Sequence, residues 1–404
     1  MQTCVGKTNS HKTFFFKCTS CNQSYETPLP SFIIEELPKL VDVEPYKLRR
    51  SFENGNIKFY NNHGIKALQF RKSVGNIEAG SMICFGDKIE IIRGFPKIRR
   101  TLMLYPSLKI HFKDEVAVEE KMNGYNVRIA LINSKIIAFT RGGFICPYTT
   151  KKAPEIMDMS AFFIDHPELV ICGEMVGSEN PYVTHSYREI GKLGFRIFDL
   201  REKGSNKALS VKDKIKLLES YNLPRVNFFG LLKIDEAPER ILELIHQLGN
   251  EDREGVVIKD PAMIIEPIKY TSSQAHNGEL EYAFTYPFDF GRAFFFSRVI
   301  REGFQAYELN ETEDEISSRA HKLGESILFP MINTIKEIAK DNPTSEDILI
   351  HVDDLKEAEN FARHLRDLGV VATVHSFNEG KAIIRREHQS TSDRISNFLR
   401  GGLY

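Results

Sequence analysis

Between residues 116 and 290 the chain is dense with short apolar runs, and these constrain its fold more than any other feature. Residues 116–118, 127–132, 136–139, 169–172, 195–198 and 256–258 are rich in Val, Ile and Phe and bounded by glycine or polar turns. Runs of this kind read as strands. Helical stretches intervene at 212–221 and 238–248. Strands broken by helices in this way predict an α+β domain with antiparallel sheets.

The rest divides around that centre. Residues 1–30 form an appendage rich in Thr, Ser, Lys and Asn. Residues 31–115 mix short strand-like runs with glycine turns, as at 81–87 and 89–94. In 291–342, Ile316, Ala320, Leu323, Ile327, Met331, Ile335 and Ile338 recur at helical spacing, predicting an amphipathic helix that Pro330 kinks or splits. That stripe packs on its own domain or forms a dimer interface. Residues 343–404 predict a small α/β module: strand 348–352, helix 355–368, strands 370–375 and 381–386, and a last helix.

No apolar run approaches the ~20 residues a membrane-spanning helix needs, and no secretory leader is evident, so an intracellular, cytoplasmic protein is expected. The net charge of -1 conceals segregation. Residues 47–113 hold 14 basic against 4 acidic side chains, an excess of +10, whereas 308–359 hold 14 acidic against 5 basic, a balance of -9. A basic module of this kind suits a polyanion; two solvated faces are the plainer reading. The 6 cysteines are dispersed, which argues against a disulfide framework. Cys18-x-x-Cys21, with Cys4 and His11, has zinc-ligand spacing, and a reduced, metal-free hairpin is the alternative. His63, His111, His185 and His276 are isolated and read as loop or core residues, and Asn277-Gly278 as a turn.

Chemistry concentrates in an ordered set. Lys121 ends a strand-like run and is followed by Met122-Asn123-Gly124 and a second strand, which places one amine at a loop mouth. Next come Thr140-Arg141-Gly142-Gly143, Glu174 at the end of an apolar run, and Phe198 on a strand. Glu254-Gly255-Val256-Val257-Ile258-Lys259 and then Lys269 complete it. Cations for phosphates, carboxylates for Mg²⁺ and ribose, and an aromatic face for a base together suit a nucleoside triphosphate.

In that order the residues resemble the covalent nucleotidyltransferase superfamily of ATP-dependent ligases and mRNA capping enzymes, and the whole layout resembles the archaeal homodimeric ATP-dependent RNA ligases. The resemblance implies an α+β nucleotidyltransferase core (an ATP-grasp-like ligase adenylation fold) over 116–290, flanked by a β-rich N-terminal module, a helical dimerisation segment and a small C-terminal α/β module. It implies that Lys121 attacks the α-phosphate of ATP and forms a lysyl-AMP. Glu119 and Asn126 join the ATP site, with Glu119 beside adenine and Phe198 stacked on it. Arg141 contacts the nucleotide or the RNA 5′-phosphate, and Glu174 the ribose or a metal. Glu254 assists Mg²⁺ or Mn²⁺, while Lys259 and Lys269 hold the α-phosphate. Clustered cations would favour the neutral, nucleophilic amine. AMP then passes to an RNA 5′-phosphate, and a 3′-hydroxyl displaces it.

Lys-x-x-Gly-x-Asn resembles RNA ligases, whereas DNA ligases usually carry Arg at the place of Asn126, with Arg128 two residues on along the same face. No five-strand oligonucleotide-binding barrel follows Lys269, which sets the chain apart from DNA ligases and capping enzymes. RNA is therefore preferred to DNA, with the 47–113 module tracking the RNA backbone. A DNA ligase and a non-catalytic RNA-binding protein of ligase shape are the alternatives.

Overall fold

The computed structural model describes residues 13–17, 24–28, 32–62 and 64–404. Cys4, Cys18, Cys21, His11 and His63 lie outside the described residues, and with them the zinc reading. Cys84, Cys146 and Cys172 are buried and unbridged.

Two sheets form the centre. Their strands in chain order are β1 (Arg99–Arg100), β2 (Glu115–Lys121), β3 (Tyr125–Ile132), β4 (Lys135–Thr140), β5 (Leu169–Val176), β6 (Gly194–Glu202), β7 (Phe228–Lys233), β8 (Gly255–Lys259) and β9 (Ile268–Thr271). One sheet runs β4-β3-β5-β6 and the other β7-β2-β8-β9-β1. All pairs are antiparallel except β9 with β1. Each of the six predicted runs lies inside one of these strands, so the α+β expectation holds.

β2 is buried along most of its length, yet it carries Glu119 and Glu120, both 2% exposed. Buried carboxylates need cations, and the neighbouring elements supply them. α1 (Val211–Ser220) is capped by Ser210, whose side chain accepts from the Asp213 N–H, and its inner face carries Val211, Lys214 and Leu218. Lys214 thus points a charge into the core beside Glu119.

Residues 31–115 are not a freestanding module. Strands Ile57–Asn62, Ile65–Phe70, Met82–Phe85 and Glu90–Ile92 form a sheet with its own core around Phe32, Leu48 and Ile83. Its other face, with Ala67 and Cys84, packs on Ala130, Phe139 and Cys172 of the central sheet. The two halves meet so closely that a Cβ on Gly143 (φ +80°) would stand 2.4 Å from the Gly80 carbonyl oxygen. Arg128 ties the same seam. It is 1% exposed and donates to the carbonyls of Gly80 at 3.0 Å, Thr140 at 2.8 Å and Arg93. Despite its spacing from Asn126, Arg128 is a structural cross-link.

After β9 come α2 (Ser273–Thr285), α3 (Arg292–Glu308) and α4 (Glu313–Ile338), then a three-stranded sheet with helices Leu355–Asp367 and Gln389–Leu399. The described residues contain no five-stranded barrel at this place. Three expectations are corrected. Asn277 and Gly278 sit inside α2, not in a turn, because Ser272 caps the helix by accepting from the Ala275 N–H and carries it through them. α4 runs unbroken past Pro330, which is buried; packing on α2 offsets the lost hydrogen bond. The seam α4 buries is Ser326, Pro330, Thr334 and Ile338; of the long aliphatic stripe Ile338 alone is fully buried, Leu323, Ile327, Met331 and Ile335 are half-buried, and Ile316 remains 48% exposed. Small residues let the helices approach, and the Thr334 hydroxyl donates to the Thr285 carbonyl at 2.9 Å.

Candidate active site

A cleft of about 700 Å³ opens between the two central sheets. Sheet pairing explains how residues far apart in sequence meet in it. Lys121, at the end of β2, lies opposite Gly255 on β8, so Glu254 arrives beside the lysine amine and pairs with it. Gly124 follows in the turn because a Cβ there would stand 2.2 Å from the Met175 carbonyl oxygen. The Asn123 N–H donates to the Tyr187 hydroxyl at 2.6 Å, fixing the loop that presents Lys121.

All nine residues predicted for the nucleotide site gather here. Glu119, Lys121, Asn126, Arg141, Glu174, Phe198, Lys259 and Lys269 line the cleft, and Glu254 holds Lys121 from its wall. They fall into two groups with different electrostatics.

The floor is closed by ion pairs. Lys259 is 2% exposed, and its amine lies 2.7 Å from each of Glu119 Oε2, Asp199 Oδ1 and the Phe198 carbonyl oxygen. Lys214 pairs with Glu119 and donates to the same Phe198 carbonyl at 2.8 Å. Burial alone would raise the Asp199 carboxyl, but Lys259 and Arg201 outweigh it and hold it at about 2. Burial, and then the charge of Lys259, push Lys214 down to about 8. Burial would also lower Lys259, yet Asp199 and Glu119 override it and raise it. Lys259 was expected to hold a phosphate; in this arrangement its donors meet protein acceptors, and two lysines grip the backbone of Phe198. The Phe198 ring is thereby fixed at the cleft wall, edge-on to Phe95 at 5.1 Å.

The mouth is not satisfied. Burial pushes Glu174 up to about 8 against the pull of Lys121, and no hydrogen bond from the described residues engages its carboxylate. Burial, then the cations Lys121 and Arg100, push Lys269 down to about 8. Arg141 is exposed and makes no ion pair among the described residues. Asn126 Oδ1 is buried with no hydrogen-bond partner there, an acceptor waiting for a donor. Unpaired cations, a strained carboxyl and an orphaned acceptor together fit a polar, polyanionic ligand with an amine or hydroxyl.

Two matches to known families now bear on the cleft. Residues 114–271 match the RNA ligase family model, and residues 282–402 the model described as Ligase Pab1020 C-terminal region. Two solved structures of an archaeal ATP-dependent RNA ligase, form 1 and form 2, are each 54% identical, cover 92% of this chain and 99% of theirs, and superpose with a TM-score of 0.90. The chain belongs to the archaeal ATP-dependent RNA ligase family. An uncharacterized protein of Methanocaldococcus jannaschii is 42% identical over 84% of this chain and 89% of its own length. An Aquifex aeolicus protein assigned as an ATP-dependent DNA ligase is 26% identical, covers 89% of this chain and 100% of its own, and superposes at 0.83.

Reading the sequence did not single out every residue of this ligase cleft. Lys214 went unnoticed, although a lysine in register with Val211 and Leu218 on an otherwise apolar helix face was a visible signal. Phe95, Pro96 and Ile98 reach the cleft from the N-terminal part, and no local pattern announces them. Glu120 anchors the same strand through Arg253 at 2.6 Å.

Proposed function

We propose that this protein seals RNA through three nucleotidyl transfers, with Lys121 as the nucleophile. The observation that carries the reading is Lys121, set beside Glu254 in a cleft whose mouth cations, Lys269 and Arg141, make no ion pair among the described residues. In the first step the neutral Lys121 Nζ attacks the α-phosphorus of ATP. The bond to the β-phosphate oxygen breaks, pyrophosphate leaves with the electron pair, and the amine proton passes to Glu254 or water. In the second, an oxygen of an RNA 5′-phosphate attacks the same phosphorus; the P–N bond breaks and Lys121 recovers its proton. In the third, a 3′-hydroxyl attacks the RNA phosphorus, forms the phosphodiester and releases AMP.

Lys269 and Arg141 stabilise charge on the phosphoryl oxygens. Phe198, held by the two lysines behind it, stacks on the base, and Glu119 and the bare Asn126 oxygen face its polar edge or the ribose. Lys259 acts at one remove, steadying Glu119 and Phe198. No cluster of three metal-ligating side chains exists among the described residues. Glu174 and Glu254 nevertheless fit a Mg²⁺ or Mn²⁺ ion that takes its other ligands from phosphates and water. Such an ion supplies charge neutralisation at the leaving group.

The protein works as a homodimer in this reading: Phe296, Tyr307, Leu328 and Phe329 are 51–73% exposed on α3 and α4. No described helix is long and apolar enough to cross a membrane, and we place the enzyme in the cytoplasm, with ATP and RNA ends. The test is incubation with α-labelled ATP. A label that stays with the protein through denaturation and moves onto 5′-phosphorylated RNA is the expected result. A label that moves only onto nicked DNA would return the DNA-ligase reading, and salt-sensitive RNA binding without labelling the non-catalytic one.

A further inference from the structure

The cations of the N-terminal part are not all held alike. Lys47 and Arg49 pair with Glu44 and Glu53 nearby in the chain, and Arg99 and Lys109 pair with Glu266 and Asp235 of the core. Residues 54–80 differ. They hold Lys58, Lys66, Arg71 and Lys72 against one acid, Glu78, which Arg93 already engages at 2.7 Å. All four cations are exposed and make no ion pair among the described residues.

Sheet register sorts these cations. In the antiparallel pair of Ile57–Asn62 with Ile65–Phe70, Lys58 lies opposite Gln69. The Arg71 N–H continues the ladder by donating to the Asn56 carbonyl at 2.7 Å. Residues opposite each other, and residues two apart on one strand, share a face. Lys58, Gln69 and Arg71 therefore share the face of Ala67, which is turned to the central sheet, and Lys66 belongs to the other face.

The Gln69 face ends at the mouth of the nucleotide cleft. Gln69 Nε2 donates to the Gly142 carbonyl at 2.9 Å. The Gly80 N–H donates at 2.7 Å to the carbonyl of Phe70, the residue before Arg71. Gly80 in turn packs so tightly on Arg141 that a Cβ would stand 2.0 Å from the Arg141 carbonyl oxygen. Two independent contacts thus hold the strand end that carries Arg71 against the loop that carries Arg141, and Arg141 lines the cleft. Arg141, Arg71 and Lys58 form a run of unpaired cations that starts at the cleft and leaves it toward Ile57–Asn62, the edge strand of the N-terminal sheet. Charge complementarity selects the occupant: a single-stranded polyanion neutralises such a run and releases its counterions.

We propose that the Arg141–Arg71–Lys58 track holds the backbone of the RNA strand whose 5′-phosphate receives AMP, gripping the phosphates that follow that end. The inference rests on the nucleotide-transfer reading above. The 5′-phosphate has to meet the α-phosphorus inside the cleft, so the rest of its strand leaves through the mouth, where Arg141 stands. Contacts to phosphates position a strand without reading its bases. The track therefore gives a preference for length, not for sequence.

The experiment uses the full-length protein, the double variant Lys58→Gln/Arg71→Gln, and Lys66→Gln on the opposite face as the control. The preformed adenylate is chased onto a 5′-phosphorylated dinucleotide and onto a 5′-phosphorylated RNA of about ten nucleotides, within the span of single-strand sites. The double variant should lose ~10-fold or more of the chase efficiency on the longer RNA, the size of lost charged hydrogen bonds, and little on the dinucleotide. Two lost phosphate contacts should also flatten the slope of log Kd against log salt for the longer RNA by about 1.4. Lys66→Gln should match the wild type in both measurements. An unchanged chase and slope in the double variant overturns the proposal, and so does an equal loss in Lys66→Gln or on the dinucleotide. A loss confined to sealing of pre-adenylated RNA gives the track to the 3′-hydroxyl strand and likewise overturns it. A wild-type protein that takes no label from α-labelled ATP overturns the transfer reading instead, and the salt slope then still judges the track.

Discussion

The floor and the mouth of one cleft hold similar residues in opposite conditions. On the floor Lys259, Lys214, Glu119 and Asp199 neutralise each other within hydrogen-bond distance. At the mouth Lys269, Arg141 and Glu174 lack such partners among the described residues. The difference teaches where free energy is kept. A closed ion network costs desolvation once, on folding, and then acts as a rigid support. Open charges remain frustrated until a ligand completes them, so binding energy is realised at the reacting phosphate. Lysines that look alike in sequence are therefore held differently: Lys259 is closed into the wall by Glu119 and Asp199, and Lys269 stands at the mouth with no ion pair among the described residues.

The largest effect is expected at the junction of the two. Lys121→Ala abolishes retention of α-labelled ATP, and a variant that still labels rejects the nucleophile. Glu119→Gln next tests the floor. It leaves two buried lysines undercompensated, and loss of one partner from a buried pair costs about 3–5 kcal/mol. Thermal or urea unfolding should show a large loss of stability. Arg141→Ala at the mouth should invert that result: unfolding unchanged within ~0.5 kcal/mol, as for exposed positions, but labelling slowed. Equal stability losses in the two variants would erase the distinction.

The pH dependence sharpens it further. Glu174, raised to about 8, gains its charge as pH rises through that value, whereas Lys269, lowered to about 8, loses its charge over the same range. A metal-assisted transfer needs the first ionised and the second protonated, so the labelling rate should peak near pH 8. Glu174→Gln should flatten the acid limb, and Lys269→Arg should extend the alkaline one. A profile untouched by both would show that neither group titrates in the reaction. Smallest is Phe198→Leu. Loss of an aromatic contact worth about 0.5–1.5 kcal/mol should raise the KM for ATP about 2- to 10-fold and leave kcat nearly unchanged.

Much of this was legible from residue order. The six apolar runs became strands because their β-branched and aromatic side chains fit a pleated, covered surface. The nine site residues converged because each lies on or beside one of those strands. Errors arose where local pattern and tertiary packing compete. Asn277-Gly278 has turn composition, but a capped helix runs through it. The α4 stripe shows helical period, and the small residues beside it set the buried seam.

Strand period, glycine placement and the order of charged residues belong to the chain itself, since each depends on neighbours a few bonds away. They determined an α+β ligase core and the place of Lys121 at the mouth of its cleft. Whether a given lysine meets carboxylates or open water depends on which strands pair, and strand pairing joins residues more than a hundred positions apart. Only the folded structure could separate Lys259 from Lys269, bring Lys214 under the nucleotide site and set Arg71 beside the Arg141 loop, because charge is governed by distance in space.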